Sequence, residues 1–82
     1  MTTAEANNSV VVEVDARGMQ CPLPLLKAKR ALTEISSGEI VRVLATDGGS
    51  VRDFDSFARH SGHTLISSTE EEGVYIHVLR KK

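Results

Sequence analysis

Cys21 is the only cysteine in the chain, and it stands in Cys21-Pro22-Leu23-Pro24, where a valine-rich segment gives way to a helical pattern. A thiol at a helix start faces unpaired backbone N–H groups and the positive end of the helix dipole. The sequence therefore predicts a thiolate-prone nucleophile at Cys21. Pro22 suits the first helical position, where its fixed φ is already helical and its missing N–H has no intrahelical partner to lose. The competing reading is a small side chain that merely packs. Two flanking prolines speak against it, because Pro22 and Pro24 stiffen the first turn and hold the sulfur outward.

Other reactive side chains lie near Cys21 in the chain. Arg17, four residues earlier, can keep a cation beside the thiolate or reach an acidic partner, and a solvated turn arginine explains it equally well. Lys27, Lys29 and Arg30 make a basic run on the helix that follows, either a dock for an acidic partner or a plain polar face. The run has no aromatic residue for base stacking, so direct nucleic-acid binding is not expected. Asp15 and Asp47, at the ends of two parallel strands, should lie near each other and near the cysteine turn. A pair of carboxylates can do acid–base work, but turn aspartates commonly bond nearby amides, and the structural role is the expectation. Met19, Leu23 and Leu26 offer a small apolar rim for docking. His60 and His63 are possible zinc partners of Cys21, yet without a second cysteine no metal site is expected, and no cofactor is called for. His77 is expected on a solvent-facing strand surface.

The elements that must position these residues follow from periodicity. Val10 to Asp15 alternates with Val10, Val12 and Val14 on one face. Ala16 to Gln20, with Gly18, turns into a helix carrying Leu25, Ala28, Leu32 and Ile35 at helical spacing, ended by Ser36-Ser37-Gly38. Glu39 to Thr46 resumes period two. After the Asp47-Gly48-Gly49 turn, Ser50 and Asp53 have the spacing of a helix-start box in which each side chain reaches the other's backbone amide. Val51, Phe54, Phe57 and Ala58 form the stripe of this second helix, and Gly62 stops it. His63 to Thr69 and Val74 to Leu79 make a hairpin. The expected fold class is α+β: a two-layer α/β sandwich of order β-α-β-α-β-β, with two helices packed on one face of a four-stranded mixed sheet. The other face would carry Val11, Glu13, Ile40, Arg42, Leu44, Tyr75, His77 and Leu79.

Composition sets the frame. At 82 residues there is room for one domain, 10–82, preceded by a flexible N-terminal tail, 1–9; such a domain buries only about 60% of its unfolded surface. The tail is polar and carries Glu5, unlike a secretory signal. Ten basic residues against 11 acidic ones, a net charge of -1, give no electrostatic reason to expect a nucleic-acid binder. A small domain with a single thiol suits a reducing compartment, so the cytoplasm is the expected location.

The segment Val14-Asp15-Ala16-Arg17-Gly18-Met19-Gln20-Cys21-Pro22-Leu23-Pro24 resembles the C-P-x-P signature of the TusA/SirA family of small sulfur carriers. Thr46-Asp47, Arg52-Asp53-Phe54 with Phe57, and Gly62-His63 agree, so the likeness spans residues 10 to 80. It implies that Cys21 carries sulfane sulfur as a persulfide. From the reading of the residues above, Pro22, Pro24, Arg17, Gly18, Asp15 and Asp47 are expected to support the site, and Met19, Leu23 and Lys27 to meet partners. Those partners would be a cysteine desulfurase or other sulfur donor and a downstream acceptor protein, with a membrane sulfur transporter as a further possibility. The chain would act as a monomer, stoichiometrically, within a sulfurtransferase relay. Members serving tRNA thiolation most often have an acidic residue where this chain has Leu23, and Leu23-Pro24-Leu25-Leu26-Lys27 is closer to the paralogues with varied acceptors. The rival is a non-catalytic interaction or regulatory module that uses the open sheet face.

Overall fold

The computed structural model describes residues 10–82; the expected tail, 1–9, lies outside them. The chain runs β1 (Val10–Ala16), α1 (Leu23–Thr33), β2 (Ile40–Ala45), α2 (Ser50–Ser61), β3 (Thr64–Glu71) and β4 (Val74–Arg80). The sheet order is β1-β2-β4-β3, with β1 and β2 parallel and the other pairs antiparallel. This is the mixed four-stranded sheet and element order the sequence predicts. Among the described residues no helix is long and apolar enough to cross a membrane.

Burial explains why these segments settle as they do. Val14, Ala16, Val41 and Val43 line one sheet face and meet Ala28, Ala31 and Leu32 of α1 and Phe54 of α2 in one core. The β3–β4 turn is Glu72-Gly73, both with positive φ, 52° and 85°; a two-residue hairpin needs that twist. Gly62 takes φ 90° and closes α2 by donating its N–H to the Ala58 carbonyl at 3.3 Å. Helix α1 ends at Thr33, earlier than expected. Gly38 is instead a turn glycine whose N–H reaches the Lys81 carbonyl at 2.8 Å.

Strand β4 corrects the sequence reading. Tyr75, His77 and Leu79 oppose Ala45, Val43 and Val41, and so face the helices rather than water, with His77 and Leu79 fully buried. Ile40, also assigned outward, is buried as well. Both alternating triplets of β4 are largely apolar, so period two alone cannot choose between faces. What decides it is the partner set of His77. Its Nε2 meets Ser50 Oγ at 2.9 Å, its Nδ1 meets Ser68 Oγ at 2.6 Å, and Phe54 stacks on the ring at 4.3 Å and 9°. A buried imidazole so satisfied is a core residue. The open face holds the cross-strand ion pair of Arg42 with Glu13 at 2.6 Å beside half-buried Leu44, Ile76 and Val78.

Burial lowers the His77 pKa, and burial followed by the Lys82 and Lys81 charges lowers that of His63. The folded protein then binds fewer protons than the unfolded chain below about pH 6.5, where free histidine titrates. Stability is therefore full above that pH and falls as pH drops through the window towards the folded-state values. Urea midpoints measured at pH 7.5 and 5.5 are expected to differ, the lower pH being the weaker. Equal midpoints would show that neither imidazole is held neutral by the fold.

Candidate functional site

The turn between β1 and α1 projects Cys21 from the edge of the sheet. Gly18 adopts φ 82°, a left-handed conformation that glycine takes without a Cβ penalty, and its N–H bonds Thr46 Oγ1 at 2.8 Å. Met19 N–H reaches the Ala16 carbonyl and Leu23 N–H the Gln20 carbonyl, at 3.2 and 2.9 Å. The Cys21-Pro22 peptide is cis. Pro22 is the residue that precedes the helix, not its first helical residue, and its carbonyl accepts the Leu26 N–H at 3.1 Å. Pro24 packs buried in the first turn. The sulfur itself is exposed.

A second loop closes on the first. Asp47, just after β2, accepts the Cys21 N–H on Oδ2 and the Gly49 N–H on Oδ1 at 3.1 Å. These two bonds, the Cys21 one the stronger, hold its carboxyl below the usual range. A Cβ on Gly49 would sit 3.7 Å from the Cys21 Cβ, so the start of α2 lies directly against the cysteine. From that start Asp53 accepts a hydrogen bond from the Cys21 thiol on Oδ2. An open groove lies alongside, lined by Cys21, Gly48, Gly49, Val51, Arg52 and Asp53 together with Asp55, Leu65 and Ser68.

The helix-start box expected at Ser50 and Asp53 is not formed. No side chain caps α2; Ser50 turns inward to His77 and Asp53 turns outward to Cys21. The spacing singled out both residues but for a local role, and the tertiary partners outcompete it. Asp53 is thus the site residue whose role the sequence reading missed. Its consequence is a second correction: the Cys21 pKa is raised, first by the Asp53 hydrogen bond, then by desolvation and the Asp53 and Asp47 charges. The helix start alone argues for a thiolate, and two facing carboxylates reverse that.

The remaining expected site residues divide. Arg17 is tied to Asp15, its Nε and Nη2 each 2.9 Å from a carboxylate oxygen, which brings the Asp15 pKa down to about 2. That pair stabilises its own turn and leaves Arg17 no free charge for the thiol. Asp15 and Asp47 each serve a different loop. Lys27 lies in a shallow cleft with Asp15 and Arg30, away from the cysteine groove. Met19 is half-buried against the core. Leu23 and Leu26, at the start of α1, are 49% and 50% exposed, and Val51, at the start of α2 and in the groove lining, is 42% exposed, so both helix starts carry exposed apolar side chains. His60 bonds the Ser56 carbonyl at 2.7 Å and His63 accepts the Lys82 N–H at 3.1 Å. Among the described residues no three His, Cys, Asp or Glu side chains gather as a metal would require.

Comparison with known proteins agrees with this geometry. The family model "Sulfurtransferase TusA" matches residues 12–81. The sulfur carrier protein TusA of Allochromatium vinosum is 53% identical over 70 residues, covering 85% of this chain and 91% of the relative. A putative sulfur carrier protein of Neisseria meningitidis is 45% identical, covering 84% and 93%. The crystal structure of a SirA-like protein from Desulfitobacterium hafniense superposes with a TM-score of 0.77 at 28% identity, covering 85% of this chain and 96% of that one. An exposed lone cysteine at a C-P-x-P turn, on the same fold and with these relatives, leads to one conclusion: the chain belongs to the TusA sulfurtransferase family, and sulfur carrying is its function.

Proposed function

We propose that Cys21 takes up sulfane sulfur as a persulfide from a donor protein and yields it to an acceptor protein. A sulfur carrier meets both kinds of partner. The observation that carries the reading is an exposed sulfur at the meeting of two helix starts that also carry exposed Leu23, Leu26 and Val51. A partner's reactive sulfur must approach closely, and an apolar rim excludes water once docked. Gly18 and Asp47 support the two loops that present the sulfur, with Pro22 and Pro24 fixing the helix entry. The paired Asp15 and Arg17 brace the turn.

The donor is a cysteine desulfurase or another sulfurtransferase, and the use is tRNA thiolation or related sulfur metabolism in the cytoplasm, with a membrane sulfur transporter as a further possible partner. The carrier works as a monomer. The test is intact mass after incubation with a cysteine desulfurase and cysteine, then with a sulfurtransferase and thiosulfate. Uptake of one sulfur atom, removed by a thiol reductant, is the expected result. No adduct from either donor would refute the reading. The rival use of the open sheet face has no specific observation in its favour, since Tyr75 turns to the helix side and an ion pair crosses that surface.

The rim makes its own prediction. Replacing Leu23 and Leu26 together by serine removes exposed apolar area at little cost to the fold, and is expected to lower loading by the donor enzyme about tenfold or more, as for loss of an interface anchor. Loading by inorganic polysulfide, which needs no docking, is the comparison. An equal loss with both donors would place the effect on the sulfur itself and remove the rim from the interface.

A further inference from the structure

Two carboxylates face the reactive sulfur, one from each side of the second loop. Asp47 is committed to the Cys21 and Gly49 backbone amides. Asp53 accepts a hydrogen bond from the thiol. Among the described residues neither carboxylate has an ion-pair partner: Arg17 is held by Asp15, Arg59 by Asp55 and Arg42 by Glu13. Arg52 lines the groove, and among the described residues it forms no ion pair with either. A carrier built only to keep a thiolate ready would bond its sulfur to a cation, whereas here the bonded group is an acid.

Resting on the sulfur-carrier reading, we propose that Asp53 keeps the Cys21 thiol closed in the free carrier. A lysine or arginine of the docked donor protein then draws Asp53 away and frees the sulfur to attack. The groove beside Asp53 is open to admit such a side chain, and the exposed leucine rim brings a partner to that spot. An incoming cation meets in Asp53 a carboxylate that is in no ion pair among the described residues, which is the electrostatic complement a donor surface needs. The raised thiol pKa, whose first cause is the Asp53 bond, agrees with a closed resting state.

The transfer itself balances without an outside oxidant or reductant. Cys21 sulfur attacks the terminal sulfur of the donor's persulfide, a new S–S bond forms on Cys21, and the donor's own S–S bond breaks. The electron pair of the broken bond leaves with the donor thiolate, which takes up the proton that Cys21 gives up. One persulfide and one thiol become one thiol and one persulfide. Asp53 is a positioning residue in this scheme: it acts on Cys21 and touches no substrate sulfur.

The free protein tests the first half. The rate of iodoacetamide alkylation of Cys21 is followed against pH in wild type, Asp53→Asn and Asp53→Glu, each checked for wild-type unfolding midpoint. Asp53→Asn is expected to alkylate about tenfold faster at pH 7, because loss of the Asp53 carboxylate lowers the thiol pKa, while Asp53→Glu stays near wild type. Asp53→Ser serves if the asparagine variant is unstable. An unmoved pH profile overturns the gate. Single-turnover loading from a cysteine desulfurase tests the second half. Asp53→Asn is expected to need several-fold more donor for half-maximal loading and to show a weaker salt dependence than wild type. An unchanged half-maximal concentration overturns the role of a donor cation. Because alkylation needs no sulfur donor, failure of the gate and failure of the carrier reading are separate results.

Discussion

Cys21→Ser is expected to fold as the wild type does and to take up no sulfur from any donor. The side chain is exposed, so no core volume changes. The contact that joins the two loops runs from the Cys21 backbone N–H to Asp47, and serine keeps that N–H. A serine hydroxyl can still donate to Asp53, as the thiol does. Surface changes of this kind stay within about 0.5 kcal/mol, so the urea midpoint should be nearly unmoved. Chemistry is a different matter. A hydroxyl forms no persulfide, and the chain has no other thiol. Intact mass after incubation with a sulfur donor checks the loss, and a sulfur adduct of equal yield on the variant would sink the assignment of Cys21.

Phe54→Ala is expected to have the largest effect on the fold. Phe54 is fully buried in α2 and covers the imidazole of His77 face to face, with ring centroids 4.3 Å apart. Removing a buried phenyl ring costs about 3–5 kcal/mol through lost transfer energy and the cavity left behind. Typical stability per residue gives a chain of this length only about 4–12 kcal/mol in all. The variant should therefore be substantially unfolded, or unfold at much lower urea. The damage also reaches the sulfur, since Phe54 neighbours Asp53 and anchors the helix start that supplies it. Urea titration followed by circular dichroism measures this, and a loss below about 1 kcal/mol would mean that Phe54 does not pack as described.

Element order, the β1–β2 and β3–β4 pairings and the cysteine turn were legible because each rests on local pattern: alternating valines in β1 and β2, glycines at turns, and prolines on either side of Leu23. Three features were not legible, for a shared reason. The face of β4 depended on whether a histidine could find two hydroxyls across the core, and Ser50 and Ser68 come from other elements. The partners of Ser50 and Asp53 depended on what the fold brought near α2, and distant bonds replaced the local cap. The state of the Cys21 thiol followed from Asp53 and Asp47, 32 and 26 residues further along the chain. Periodicity records which side of a segment is apolar; it holds no record of which distant polar group will stand opposite. The leucine rim was partly legible. Leu23 and Leu26 were visible beside the cysteine, but Val51 was assigned to the core stripe and instead stands exposed at the groove.

The grip of Asp47 on the Cys21 and Gly49 amides makes the thiol a built-in reporter of assembly. Its environment comes from two βα units that meet only when the parallel β1–β2 pair has formed. In a nascent, heat-damaged or half-assembled chain those carboxylates are elsewhere, and the cysteine titrates and alkylates like one in an open peptide. Reactivity at this one atom thus distinguishes finished molecules from unfinished ones. The same timing orders biosynthesis: with both halves required before the site exists, a ribosome-bound fragment lacking the second loop has no gated sulfur to offer.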